Sequence, residues 1–317
     1  SPSTNSWTPL TPTGGPGWRY GHTTIYDPVR ARMLVYGGYG DDGYVWALAT
    51  NGTPSWTRVT ANGGPSRRHH VAIYDALNDR MVVFGGNYFG EERSTWALAL
   101  ATNTWTELNH SYGGLAVDQC AAVYDAANQR MGVYGGIAYC ACICPDPSVV
   151  PWGGVSALPL NVPTPTWQDL GWLSALADPG AVYDPVCQSL LVFGGLHPND
   201  CGCDLLLQES PQNWLMATPL SGEVNGAFLP ATAGPPPARG HHVVVLDPVR
   251  HRLFTFGGGG VETNCVATYL DDMWMLALPD LTPPSAVTLT AVSQCTSIQL
   301  SWLAPGDDGA QGTAALY

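Results

Sequence analysis

An all-β fold built from repeated small sheets is what the sequence predicts, and three observations carry the prediction. Five stretches of the chain align with one another without gaps. The 317 residues include 37 glycines and 27 prolines but only 12% charged residues, with 12 tryptophans and 14 tyrosines, a composition suited to short strands and tight turns. No stretch carries the 3.6-residue apolar period of a long helix.

The aligned stretches are TTIYDPVRARMLVYGG, VAIYDALNDRMVVFGG, AAVYDAANQRMGVYGG, GAVYDPVCQSLLVFGG and VVVLDPVRHRLFTFGG. In each, an aspartate (Asp27, Asp75, Asp125, Asp184, Asp247) precedes the first of two glycines (Gly37, Gly85, Gly135, Gly194, Gly257) by ten residues. Fixed spacing of β-branched and aromatic residues around an Asp-led turn reads as a hairpin. In four copies an arginine (Arg32, Arg80, Arg130, Arg252) follows the aspartate by five and is placed to reach back across the turn, an exposed pair worth about 0–1 kcal/mol. The glycine pair ends the second strand where a side chain would block neighbouring backbone.

A third strand follows each glycine pair, clearest in VWALAT, TWALAL and MWMLAL with Trp46, Trp96 and Trp274 at matching positions, and a fourth is marked by Trp56, Trp105, Trp167 and Trp214. Four strands repeated every 48 to 63 residues describe a propeller blade. With its Arg-x-x-His lead-in and its Gly-Gly ending, the repeat resembles the kelch family over roughly residues 1–280. The fifth repeat lacks a tryptophan-marked fourth strand, whereas NSWTPL around Trp7 has that strand's pattern with no blade before it. The expectation is an all-β, five-bladed kelch-type β-propeller over residues 1–282, closed by the N-terminal strand so that two sheet edges are removed.

From TPPSAV onward the chain resembles the beginning of a fibronectin type III module, with Trp302 in SIQLSW as its core tryptophan. Residues 283–317 are therefore expected to form an incomplete fibronectin type III-like β-sandwich, too few strands to bury an inner face alone. Contact of this tail with a neighbouring molecule is the expected remedy, which gives self-association as one expected partnership.

The net charge is −13 and all 12 basic residues are arginines, so no electrostatic footprint for nucleic acid exists. No apolar run is long enough to span a bilayer. Nine cysteines point to an oxidising compartment, hence to a secreted, extracellular or cell-surface protein. Cys140, Cys142, Cys144, Cys201, Cys203 and Cys265 fall in second-to-third-strand loops, and Cys120 begins a first strand on the same face. These seven are read as disulfide candidates pinning long loops, with Cys187 and Cys295 standing apart and paired with each other or across molecules. No metal or cofactor is expected. Asp-Asp-Gly at 41–43 and 307–309 reads as turn chemistry.

Arg19 and His22, Arg67 and His70, and Arg239 and His242 recur at one place in blades one, two and five. They are candidate binding residues for an anion or carboxylate at the channel mouth, set against the alternative that they bond loop carbonyls as part of the repeat. Tyr20, Tyr39, Tyr44 and Tyr88 offer sugar-stacking surface on the same side. The resemblance implies a bacterial-type secreted or cell-surface binding, adhesive or structural protein. Its disulfide-braced propeller would be the interaction platform for a protein or glycan at the long-loop face. No catalytic set matches position by position, so a non-enzymatic role is expected. The alternative is a galactose-oxidase-like copper oxidase or another carbohydrate-active kelch enzyme.

Overall fold

The computed structural model describes residues 9–40, 44–59, 63–86, 94–109, 117–140, 148–196, 215–220, 227–229, 234, 236–259, 269–278, 290–294 and 297–301. Among them the protein is a five-bladed β-propeller without helices.

Blade one is the antiparallel sheet β1 (Thr23–Asp27), β2 (Arg32–Tyr36), β3 (Val45–Ala49) and β4 (Trp56–Val59) in chain order. Blade two repeats it with β5 (Val71–Asp75), β6 (Arg80–Phe84), β7 (Thr95–Ala99) and β8 (Thr104–Asn109). Blade three adds a short strand, β9 (Val117–Asp118), before β10 (Ala121–Asp125) and β11 (Arg130–Tyr134). Its long loop then folds as β12 (Ile137–Cys140) and β13 (Ser148–Pro151), which with β9 make a separate three-stranded sheet. The blade itself is completed by β14 (Gly154–Pro159) and β15 (Gln168–Trp172).

Blade four comprises β16 (Gly180–Asp184), β17 (Ser189–Phe193), β18 (Leu215–Pro219) and β19 (Ala227–Leu229). Blade five has three described strands, β20 (Val243–Asp247), β21 (Arg252–Phe256) and β22 (Met273–Ala277). The hairpin of β23 (Thr290–Gln294) and β24 (Ser297–Ser301) lies in the tail, where a sandwich is not seen among the described residues. Trp7 and Trp302 lie outside those residues, and so does the expected N-terminal closure.

The predicted register holds. Asp27 pairs with Arg32, Asp75 with Arg80, Asp125 with Arg130, Asp184 with Ser189 and Asp247 with Arg252. Trp46, Trp96 and Trp274 oppose Val35, Val83 and Thr255 at one equivalent position. One expectation needs correcting. The third strand of blade four starts at Leu215 and its fourth is Ala227–Leu229, so the chain reaches Trp214 before the third strand and the tryptophan does not mark the fourth.

Four apolar clusters hold the blades together, one between each consecutive pair. Leu34, Tyr36, Val45 and Ala47 of blade one pack on Met81, Val83, Leu98 and Trp105 of blade two, and the pattern repeats through Val182, Leu191 and Phe193 of blade four against Val244, Leu253 and Leu276 of blade five. Each strand thus feeds two interfaces, because its alternate side chains point to opposite sides of the sheet.

The glycine pairs stitch these interfaces. The second glycine donates its N–H to the segment leading into the next blade: Gly38 to the Arg67 carbonyl (2.8 Å), Gly86 to Val117 (3.2 Å), Gly136 to Leu176 (2.7 Å) and Gly195 to Arg239 (3.0 Å). At the first glycine of blade two, Gly85, φ is +68° and an added Cβ would stand 2.5 Å from the Val117 carbonyl oxygen, so both the turn and the close approach require glycine.

Candidate functional site

The first strand of each blade is entered through a residue in left-handed backbone: Gly21 (φ 66°), His69 (54°), Gln119 (53°), Asp178 (44°) and His241 (53°). These residues are tied to one another across blades. His69 donates its backbone N–H to the Gly21 carbonyl (2.7 Å), Gln119 to that of His69 (3.1 Å) and Asp178 to that of Gln119 (2.9 Å). Because the first strands β1, β5, β10, β16 and β20 lie successively against one another, this chain of bonds rims the propeller axis. The main chain satisfies itself there, leaving the side chains available.

On this rim an aromatic shelf is exposed. Trp18 stacks toward Tyr20 (centroids 6.4 Å, planes 14° apart) and Tyr20 on Tyr39 (4.4 Å, 16°), with the guanidinium of Arg68 4.1 Å from the Tyr39 ring centre. Tyr20 and Tyr39 are held as a backbone bridge, the Tyr39 N–H donating to the Tyr20 carbonyl (2.8 Å), so the stack is fixed from below. His69 stands edge-on to both tyrosines, at 6.3 and 6.2 Å.

Next to the shelf are ionisable groups. His241 Nδ1 lies 3.2 Å from Asp178 Oδ2, and the nearby carboxylate raises the imidazole's pKa above its ordinary value. Asp118 is buried, and among the described residues neither of its carboxylate oxygens has a hydrogen-bond partner. Burial first, then repulsion from Asp178, pushes its pKa up to about 7, with Arg68 pulling the other way.

The arginines and histidines singled out from the repeat are placed differently. Arg19 Nη1 donates to the Gly37 carbonyl (3.2 Å), Arg67 Nη1 to Gly85 (2.7 Å) and Arg239 Nη1 to Gly257 (3.0 Å), each eighteen residues ahead in its own blade. Arg67 and Arg239 are buried; Arg67 also bonds Ser94 (2.6 Å) and Arg239 makes a two-pronged pair with Asp272 (2.7 and 3.0 Å). His70 is buried with Nε2 2.7 Å from Thr23 Oγ1, and burial, then the Arg67 charge, lowers it to about 3. His242, edge-on to Phe193, is lowered to about 4 by burial and Arg239. His22 is exposed, with a lowered pKa. The three arginines thus brace glycine carbonyls within their own blades, and His70 ties blade two to Thr23 of blade one.

Trp18, Tyr20, Arg68, His69 and His241 adjoin those residues in sequence, whereas Tyr39, Asp118 and Asp178 come from elsewhere in the chain. The available signal was the residue just before His22, His70, Cys120 and His242. Of the four tyrosines, Tyr20 and Tyr39 come together, Tyr44 packs under Arg58 (4.5 Å), and Tyr88 lies outside the described residues.

The disulfide expectation is corrected at two positions. Cys120 and Cys187 are free thiols. Cys120 is buried in the core between blades two and three, and Cys187 sits in a hairpin turn beside Asp184 and His251. Burial and the Asp184 carboxylate push the Cys187 thiol up to about 11, the opposite of an activated nucleophile. Cys140 lies in β12, while Cys142, Cys144, Cys201, Cys203, Cys265, Cys295 and both Asp-Asp-Gly stretches lie outside the described residues.

Residues 1–146 match the KLHDC2/KLHL20/DRC7 Kelch-repeats domain. Over that stretch the repeats are kelch repeats. The overall fold is similar to the solved structure of YjhT, which superposes with a TM-score of 0.61 at 15% sequence identity, covering 93% of this chain and 87% of that one. At that identity the likeness shows the fold alone. No curated protein matches this chain by sequence.

Proposed function

We propose that the protein is a secreted or cell-surface binding protein whose kelch propeller is an interaction platform, and that its ligand is a saccharide held on the axial rim. The observation that carries this reading is the exposed Trp18–Tyr20–Tyr39 stack beside Arg68, His69 and the His241–Asp178 pair. A flat aromatic face receives the C–H side of a sugar ring, while charged and amide groups around it bond the hydroxyls. The test is titration of an oligosaccharide panel, followed by tryptophan fluorescence. Trp18→Ala and Tyr20→Ala each weaken binding by about tenfold or more with unchanged thermal melting. Absence of binding across the panel, or binding indifferent to both substitutions, refutes the reading.

A second reading, a carbohydrate-active enzyme, is favoured by Asp118 alone. A carboxyl group that titrates near neutrality beside a ligand shelf is suited to proton transfer. Asp118→Asn then abolishes turnover of a bound sugar while leaving its affinity within a few-fold; equal losses of both refute it.

Two finer features of the architecture belong to the same proposal. Residues 1–8 supply the missing fourth strand beside β22, and residues 283–317 begin a fibronectin type III-like module. The first is supported by residues that follow it: Thr13 pairs with Ser55 at the start of β4, and an added Cβ on Gly15 would meet the Trp56 ring, just as one on Gly64 meets the Trp105 ring of blade two. Residues 13–15 thus approach the outer strand of blade one as Gly64 approaches that of blade two. The β23–β24 hairpin supports the second.

A further inference from the structure

The hairpin turn of blade four departs from its counterparts in a way that leaves a ligand set. In blades one to three the buried aspartate receives the Nε of the arginine five residues on: Arg32 to Asp27 (2.8 Å), Arg80 to Asp75 (2.7 Å) and Arg130 to Asp125 (2.8 Å). Blade four has Ser189 there, and its hydroxyl turns to the Cys187 carbonyl instead (3.0 Å). Asp184 is as buried as the others and keeps the turn bond from the Val186 N–H (2.9 Å), yet among the described residues its Oδ2 meets no guanidinium. That oxygen meets His251 Nε2 at 2.8 Å, a side chain delivered by the turn of blade five.

Cys187 completes the group. It occupies the position of Asn78 and Asn128, whose amides bond the same carboxylate in their blades (both 2.8 Å). The ligand atoms of Asp184, Cys187 and His251 all lie within 4.8 Å of one another. His251 arrives by a rule of the fold: at the matching position of blade two, Asp79 also reaches back to the preceding turn and pairs with Arg30 (3.0 and 2.6 Å). Here the pair is replaced by three metal-ligating groups from two blades.

We propose that Asp184, Cys187 and His251 bind a tetrahedral divalent metal ion of the zinc type, with the fourth position open to solvent. One sulfur, one imidazole nitrogen and one carboxylate oxygen suit zinc, with bonds of about 2.0–2.3 Å. They do not suit calcium or magnesium, which take oxygen ligands. The exposed Val186 beside them leaves the turn open to water on that side.

The test is site-resolved and independent of the other cysteines. On the full chain, kept reduced with a phosphine, the rate of alkylation of Cys187 is followed by peptide mass spectrometry with and without zinc chloride. Zinc slows it by about tenfold or more in the unaltered protein, because a metal-bound thiolate is shielded. The protection is lost in His251→Gln and in Ser189→Arg, the second of which restores the arginine found in the four other blades and melts at an unchanged temperature. Cobalt gives a thiolate-to-metal absorption band that Cys187→Ser removes. A Cys187 rate untouched by zinc, or protection equal in both variants, overturns the proposal.

Discussion

The surface that blade one turns toward blade two and the surface that blade five turns outward are made of the same repeat positions, in opposite surroundings. Ile25 and Val245 are equivalent but 8% and 55% exposed; so are Tyr36 and Phe256, at 2% and 47%, and Val45 and Met273, at 1% and 59%. The other flank shows the same contrast. His70 is buried against Tyr36 of the preceding blade, whereas His22, its equivalent in blade one, is exposed. Even the glycines differ: an added Cβ on Gly85 would strike backbone, but on Gly257 the nearest atom is 3.4 Å away. A blade's side chains are thus written for a neighbour. Their contribution to stability depends on that neighbour more than on the strand that carries them.

Paired substitutions sharpen the comparison. The largest difference is expected at the aromatic position ending the second strand. Tyr36→Ala removes a ring packed on Trp105 (5.0 Å) and His70 (5.5 Å) and a hydroxyl bonded to the Pro65 carbonyl, and costs about 3–5 kcal/mol in chemical denaturation. Phe256→Ala costs no more than about 1 kcal/mol. Equal losses would mean that the fifth blade's outer face is covered in solution.

Gly85→Ala comes next. Left-handed backbone and the clash with Val117 together cost about 2–3 kcal/mol, while Gly257→Ala carries only the conformational part, about 1 kcal/mol. Differential scanning calorimetry of the two variants separates the terms.

The pH dependence follows from the histidines. An unfolded His70 takes its proton near 6.5, the folded one only near 3, so its share of stability is full above pH 6.5 and falls as pH drops, by about 1.4 kcal/mol per unit. His70→Gln flattens the stability profile between pH 6.5 and 4. His22→Gln, at the exposed equivalent, changes the slope much less. Smallest of all, Val245→Thr shifts the denaturation midpoint by an amount equivalent to about 0.5 kcal/mol or less.

The blades were legible in the sequence because Asp, Arg and Gly-Gly recur for reasons local to one hairpin. Asp27 and Arg32 meet across a single turn, and Gly37 ends the strand that follows. One aspect of that pairing differs from expectation: Asp27, Asp75, Asp125 and Asp184 are buried, while Asp247 is partly exposed. Features that depend on two blades were not legible. Nothing near Cys187 in the chain announces His251, and only the serine in place of arginine at 189 marked the turn as unusual. The Trp214 assignment failed because a tryptophan close before a third strand looks the same as one in a fourth. The rim residues were hidden for another reason. Gly21, His69, Gln119, Asp178 and His241 share a backbone conformation but no side-chain chemistry common to all five, so an alignment by residue type passes over them.

That last property has an evolutionary consequence. A collar tied by amide and carbonyl groups asks its members only to tolerate a left-handed turn, as glycine, asparagine, aspartate and histidine do most readily. Mutation can therefore recompose the pore's lip one blade at a time, trading acid for base or amide, while the barrel of sheets beneath it stays as it was.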